Sequence, residues 1–136
     1  MSKFSVYYDP DGMEEICKRS PFNLKKDLKN ISDEEIKRIA RNVADELYLG
    51  AERPPVTSVM YWGLGRKAAY GKIRTVDVEH SDGKSNGYRC ITLVDMVNHC
   101  AFLLHVYKHG KDDIISQKDK NQLKKLVNEY VESLGI

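Results

Sequence analysis

Tyr70-Gly71-Lys72-Ile73-Arg74-Thr75-Val76 decides the fold of this chain, together with two later stretches of the same kind. These are Gly87-Tyr88-Arg89-Cys90-Ile91-Thr92-Leu93-Val94 and Phe102-Leu103-Leu104-His105-Val106-Tyr107-Lys108-His109. Each is an apolar, β-branched or aromatic run with basic residues at one end. The polar cluster Ser81–Asn86 separates the first two. The pattern predicts three strands, over about 70–78, 87–95 and 99–107, paired antiparallel through short turns. Side chains alternate along a strand, so Lys72 and Arg74 share one face with Ile73 on the other. Two neighbouring cations on one face repel and add nothing to the fold. Such a face is either simply solvated or answers to an anion outside the chain, a phosphodiester being the commonest.

Outward from the trio, Phe4, Val6 and Tyr8 alternate with polar residues and predict a short first strand ended by Asp9-Pro10. One or two helical turns are expected between Asp11 and Lys18, before Pro21. Ser32-Asp33-Glu34-Glu35 reads as a capping box. Behind it Ile36, Ile39, Ala40, Val43, Ala44 and Leu47 fall on one helical face, with Gly50 placed to stop the helix. Arg53-Pro54-Pro55 is a stiff connection. Val56–Trp62 is apolar but alternates poorly, and is open between strand and loop. Ser116 can cap a last helix over about 117–133, with Leu123, Leu126, Val127, Tyr130, Val131 and Leu134 on its apolar face. The expected class is α+β: a small antiparallel sheet with N-terminal helices and a C-terminal helix packed on one side.

A chain of 136 residues with 41% hydrophobic and 31% charged residues suits one folded domain spanning 1–136. The net charge of +2 hides a division. Residues 1–50 carry 9 Lys/Arg against 10 Asp/Glu, whereas residues 66–111 carry 8 against 4 and all four histidines. A polyanion would respond to that local field rather than to the total. Cys17, Cys90 and Cys100 are odd in number and match no metal or redox spacing, which points to free thiols in a reducing cytoplasm. The N-terminus has no signal-peptide apolar core, and no apolar run approaches membrane-spanning length.

Lys72-Ile73-Arg74, Gly87-Tyr88-Arg89, Phe102–Lys108 and the helix entry Asp113-Ile114-Ile115-Ser116 resemble, in order and spacing, the RelE/ParE superfamily of bacterial toxin–antitoxin toxins. The nearest branch is the HigB-like one, and the likeness covers the last half of the chain and the element order of the whole. The resemblance implies a RelE-like fold and a small endoribonuclease that needs no metal or cofactor and cuts mRNA on the ribosome. It also implies a cognate antitoxin protein as partner. Carried over position by position, it assigns the catalytic set to Lys72, Arg74, Arg89, Lys108 and His109. Ile115 stands where many RelE-type enzymes have a catalytic tyrosine.

Metal-free RNA cleavage requires a 2′-hydroxyl to lose its proton, a doubly charged transition state to be stabilised, and the leaving 5′-oxygen to gain a proton. The guanidinium forks of Arg74 and Arg89 suit the charge. Arg89, near a strand end, is expected to be exposed. Lys72 can act as base only with a pKa well below its reference of roughly 10.4. His109 is the candidate acid, with His105 and Tyr107 as second choices; His105 reads equally as a partly buried strand histidine. The candidate RNA-binding set comprises Arg66, Lys67, Lys84, Tyr88, His105, Tyr107 and Lys111. Two other motifs lead nowhere: Gly63-Leu64-Gly65-Arg66-Lys67-Ala68 lacks the βαβ unit of a dinucleotide site, and His105 with His109 straddles a strand end without the second cysteine a zinc site needs. Besides the nuclease, the same fold can serve a gyrase-inhibiting ParE-type protein or a non-catalytic nucleic-acid-binding domain.

Overall fold

The computed structural model describes residues 4–52, 59–75, 87–108 and 115–135. Five strands make one sheet: β1 (Ser5–Tyr7), β2 (Val59–Leu64), β3 (Ala68–Arg74), β4 (Tyr88–Asp95) and β5 (Cys100–Lys108), in the spatial order β1-β5-β4-β3-β2. The helices are α1 (Glu15–Lys18), α2 (Leu24–Leu28), α3 (Asp33–Glu52) and α4 (Gln117–Ser133). The trio read from the sequence is β3–β4–β5, antiparallel throughout. The described part of the segment left open, from Val59, forms β2 with Gly63 and Leu64, a fourth antiparallel strand that stays in register with β3 by means of a bulge between Tyr61 and Gly63.

The sheet is mixed rather than purely antiparallel, because β1 lies parallel to β5, with Val6 opposite Ala101 and Tyr7 opposite Phe102. A parallel neighbour needs a long crossover, and the whole run of helices and strands between residues 8 and 99 supplies it. β1 covers the outer edge of β5 only over Cys100–Phe102. Further along, α2 takes over: Asp27 Oδ2 accepts the Val106 N–H at 3.1 Å. A sheet edge left bare would be a template for association, and here one strand and one side chain share its protection.

Register sorts the side chains into two sets. Ala68, Tyr70, Lys72 and Arg74 of β3 share a face with Asp95, Leu93, Ile91 and Arg89 of β4 and with Cys100, Phe102, His105 and Tyr107 of β5. Helix α4 packs on this face at the Asp95 end. The Tyr130 hydroxyl donates to Asp95 Oδ2 at 2.6 Å, and its ring meets Phe102 edge-on at 5.6 Å. Leu123, Leu126 and Val127 are buried there, as the helical spacing requires. The α+β arrangement, with the C-terminal helix packed on one side of the sheet, is therefore the one observed. The alternate set, with Val6 of β1, Val59 and Tyr61 of β2 and Ile73 of β3, is the one that meets α3, whose Ile39, Val43 and Leu47 are almost fully buried.

Both expected caps form. Ser32 Oγ accepts the Glu35 N–H at 3.2 Å, and Ser116 Oγ accepts the Asp119 N–H at 3.0 Å. Gly50 does not stop α3, which continues to Glu52; a glycine within a helix costs only about 1 kcal/mol, too little to end one already packed along its length. The β4–β5 connection closes on the Asp95 carboxylate. Its Oδ1 accepts the Val97 and Asn98 N–H groups, and its Oδ2 accepts the Asn98 side-chain amide, each at 2.9 Å. Burial pushes the Asp95 carboxyl up, but the hydrogen bonds from Tyr130, Asn98 and Val97 outweigh it and hold the group below the ordinary aspartate range.

Candidate functional site

The half of the sheet face that lies beyond α4 carries the candidate set in two cross-strand rows. One is Lys72, Ile91 and His105; the other is Arg74, Arg89 and Tyr107. Neighbouring strands lie about 4.8 Å apart, so each row spans roughly 10 Å. Arg74 and Arg89 lie directly opposite each other on paired strands, where like charges repel. Lys72 and Arg74 are half-buried. Arg89 departs from expectation: it is only 3% exposed, and its Nη1 donates to the Gly87 carbonyl at 3.4 Å. A strand-end position therefore does not mean exposure here, because β5 runs on to Lys108 beside it and the Thr75 N–H, just after β3, still bonds to the Tyr88 carbonyl at 2.9 Å.

His105 is the most constrained group on the face. Its Nδ1 lies 2.7 Å from Asp27 Oδ2, and its ring stacks on Phe22 at 4.5 Å and 4° and on Tyr107 at 4.8 Å. An ionised carboxylate only accepts, and Oδ2 already accepts the Val106 N–H. His105 must therefore present Nδ1 as the N–H, which leaves Nε2 as the nitrogen that can take or give a proton. No hydrogen-bond partner of Nε2 occurs among the described residues. A histidine held in one tautomer and orientation by a carboxylate is the arrangement general acid–base chemistry uses. Asp27 and Phe22 were not legible as site residues. Asp27 sits in Lys25-Lys26-Asp27-Leu28-Lys29, which reads as a solvated charge run, and nothing local connects it to a strand 78 positions away.

Among the described residues, Lys108, Tyr88, Arg66 and Lys67 do not join these two rows. Lys108 pairs with Tyr88 on the opposite face, its Nζ 5.1 Å from the centre of the Tyr88 ring. Register is the reason, since Lys108 and Tyr88 are each one position along the strand from Tyr107 and Arg89 and so point to the other side of the sheet. Tyr88 is buried in that contact and presents no ring for base stacking. Arg66 and Lys67 form the β2–β3 hairpin tip, beside Asp95 and about 20 Å along β3 from Arg74. Lys84, His109 and Lys111 lie outside the described residues. Ile115 is partly buried and packs against the hydrophobic core.

Among the described residues, no group of three or more His, Cys, Asp or Glu side chains converges as a metal site would, and no helix is long and apolar enough to cross a membrane. No protein-family model, curated protein or solved structure matches the chain. The functional reading therefore rests on this chain's own residues.

Proposed function

We propose that the chain is a metal-independent endoribonuclease, an mRNA-cleaving toxin that acts at the ribosome and is neutralised by a cognate antitoxin. The observation that carries the reading is the shared sheet face of Lys72, Arg74, Arg89 and a His105 oriented by Asp27. On this reading His105 Nε2 takes the proton of a 2′-hydroxyl. The oxygen so freed attacks the adjacent phosphorus, and Arg74 and Arg89 stabilise the two charges that develop on the phosphate oxygens. The P–O5′ bond breaks, and Lys72 or His109 protonates the departing oxygen. The products are a 2′,3′-cyclic phosphate and a 5′-hydroxyl, and no metal enters the scheme.

The test is incubation of the purified protein with 5′-labelled mRNA, with and without translating ribosomes, in EDTA. The expected result is discrete cuts ending in 2′,3′-cyclic phosphate, with His105→Ala slower by roughly 10²–10⁴-fold, the usual contribution of a general acid–base group. No cleavage in either condition would refute the reading. The non-catalytic nucleic-acid-binding alternative draws on two observations, the burial of Arg89 and the packing of Ile115 against the core. Tight RNA binding without any cut would establish it instead.

A further inference from the structure

The face that carries the candidate site does not end at Lys72. Followed back along β3, its side chains are Tyr70 and Ala68, and these form the floor of a groove between α4 and the β2–β3 hairpin. The groove has a volume of about 550 Å³, within the range of small-ligand sites. Its walls are unlike its floor. Arg66 and Lys67 stand at the hairpin tip on one side and Lys124 of α4 on the other, while Val127 and Val131 continue the apolar floor along the helix. One turn up α4, Lys120 places its Nζ 4.8 Å from the centre of the Trp62 ring, and Trp62 itself lines the groove. Among the described residues, no acidic side chain lines it.

Three cations around an apolar floor, with an indole and a fourth cation, Lys120, at the rim, is the chemistry of a single-stranded nucleic-acid channel, in which a basic border follows the backbone and flat surfaces receive bases. We propose that this groove is a second subsite for single-stranded RNA, holding the strand outside the reacting nucleotide. The inference rests on the nuclease reading for the identity of its ligand, and on its own geometry for the site. Charge complementarity selects a polyanion. Continuity selects the strand that also reaches the candidate centre: Ala68, Tyr70, Lys72 and Arg74 lie in one line over about 20 Å at roughly 3.3 Å per residue. A strand laid along β3 passes from the Trp62 groove to the half-buried Lys72 and Arg74 without crossing the sheet. The cationic residues of α4, which no catalytic role absorbs, then have one.

Trp62 is the only tryptophan of the chain, so its emission reports the groove directly. The probes are fluorescein-free 2′-O-methyl RNA oligonucleotides, which cannot be cut, in a short form able to cover only the Lys72–Arg74 end and a long form able to reach the groove. The long form is expected to quench Trp62 and the short form to leave it unchanged. In Arg66→Ala/Lys124→Ala the affinity for the long form should fall about tenfold, and the logarithmic salt slope should shrink by about 1.4, two phosphate contacts' worth at about 0.7 each. Lys124→Glu should weaken the long form further. Unchanged Trp62 emission together with unchanged long-form affinity in both variants would overturn the proposal. So would stronger quenching by an acidic peptide of equal charge, which would make the groove a protein-docking surface. Cleavage of unmodified RNA by the parent protein is scored separately: binding at Trp62 without cleavage refutes the nuclease reading and keeps the groove, and cleavage without quenching does the reverse.

Discussion

Replacing Tyr130 with Phe removes one oxygen from the protein and tests how α4 is fastened to the sheet. The Tyr130 hydroxyl donates to Asp95 Oδ2 at 2.6 Å, and both residues are almost completely buried. The variant keeps the ring, and with it the edge-on contact to Phe102. What is lost is one hydrogen bond to a buried carboxylate, about 1.5–3 kcal/mol for a charged partner. Asp95 keeps its three other donors, the Val97 and Asn98 N–H groups and the Asn98 amide, so the charge is not stranded and about 2 kcal/mol is the expected loss. With an unfolding entropy of about 2.1 cal/mol/K per residue, that corresponds to a fall in Tm of roughly 7 °C. The bond also sets a pH signature. The folded Asp95 carboxyl titrates below its unfolded value, so its contribution is full above the unfolded pKa and is lost as pH falls through the folded one. The stability gap between parent and Tyr130→Phe should therefore be constant from pH 6 to 8 and should narrow below about pH 4, near the aspartate reference value. Thermal denaturation followed by circular dichroism, at a series of pH values, measures both. Equal melting of the two proteins at pH 7, or a gap that does not narrow in acid, would refute the reasoning.

Leu126→Ala empties a buried position between α4 and the sheet and should destabilise by roughly 2–5 kcal/mol in urea unfolding. Melting at the parental midpoint would remove α4 from the core. Gly71→Ala should cost about 1–3 kcal/mol, because a Cβ there runs into the Met60 carbonyl oxygen and lies 2.8 Å from Tyr61 Cα, so β2 must shift. An unchanged urea midpoint would contradict that β2–β3 approach. Burial pushes the Cys17 and Cys90 thiols up to about 12, so native protein at pH 8 should alkylate at these two positions far more slowly than urea-unfolded protein, as read by mass spectrometry. Rapid labelling of both would place them at the surface. Arg89→Ala should both lower the melting temperature, since the side chain is buried, and cost about 2.7–4 kcal/mol of barrier in RNA cleavage. A fully active Arg89→Ala protein would exclude Arg89 from the chemistry.

Much of the candidate site was legible because it depends on alternation. Lys72 and Arg74 are two residues apart on a strand, so they share a face wherever that strand is placed, and Arg89 joins them once β4 pairs antiparallel. Lys108 entered the set through the resemblance, which carries no register, and the pairing with Tyr88 puts it on the other face. Asp27 was invisible for a different reason. A carboxylate flanked by lysines on a short helix carries no local sign of the strand edge it will serve.

The sequence by itself determined what is decided within a few residues. The caps at Ser32 and Ser116, the apolar stripes of α3 and α4, and the β3–β4–β5 trio all form where their periodicity and hydrogen-bonding side chains place them. These interactions close over one helical turn or one strand face, and no distant partner is needed to specify them. Tertiary structure decided the rest. Only packing turned Val59–Leu64 into a strand, set β1 parallel to β5, buried Arg89, and brought Asp27 to His105. Each of these outcomes depends on which surface covers which, and that is a property of the assembled sheet and helices rather than of any segment read alone.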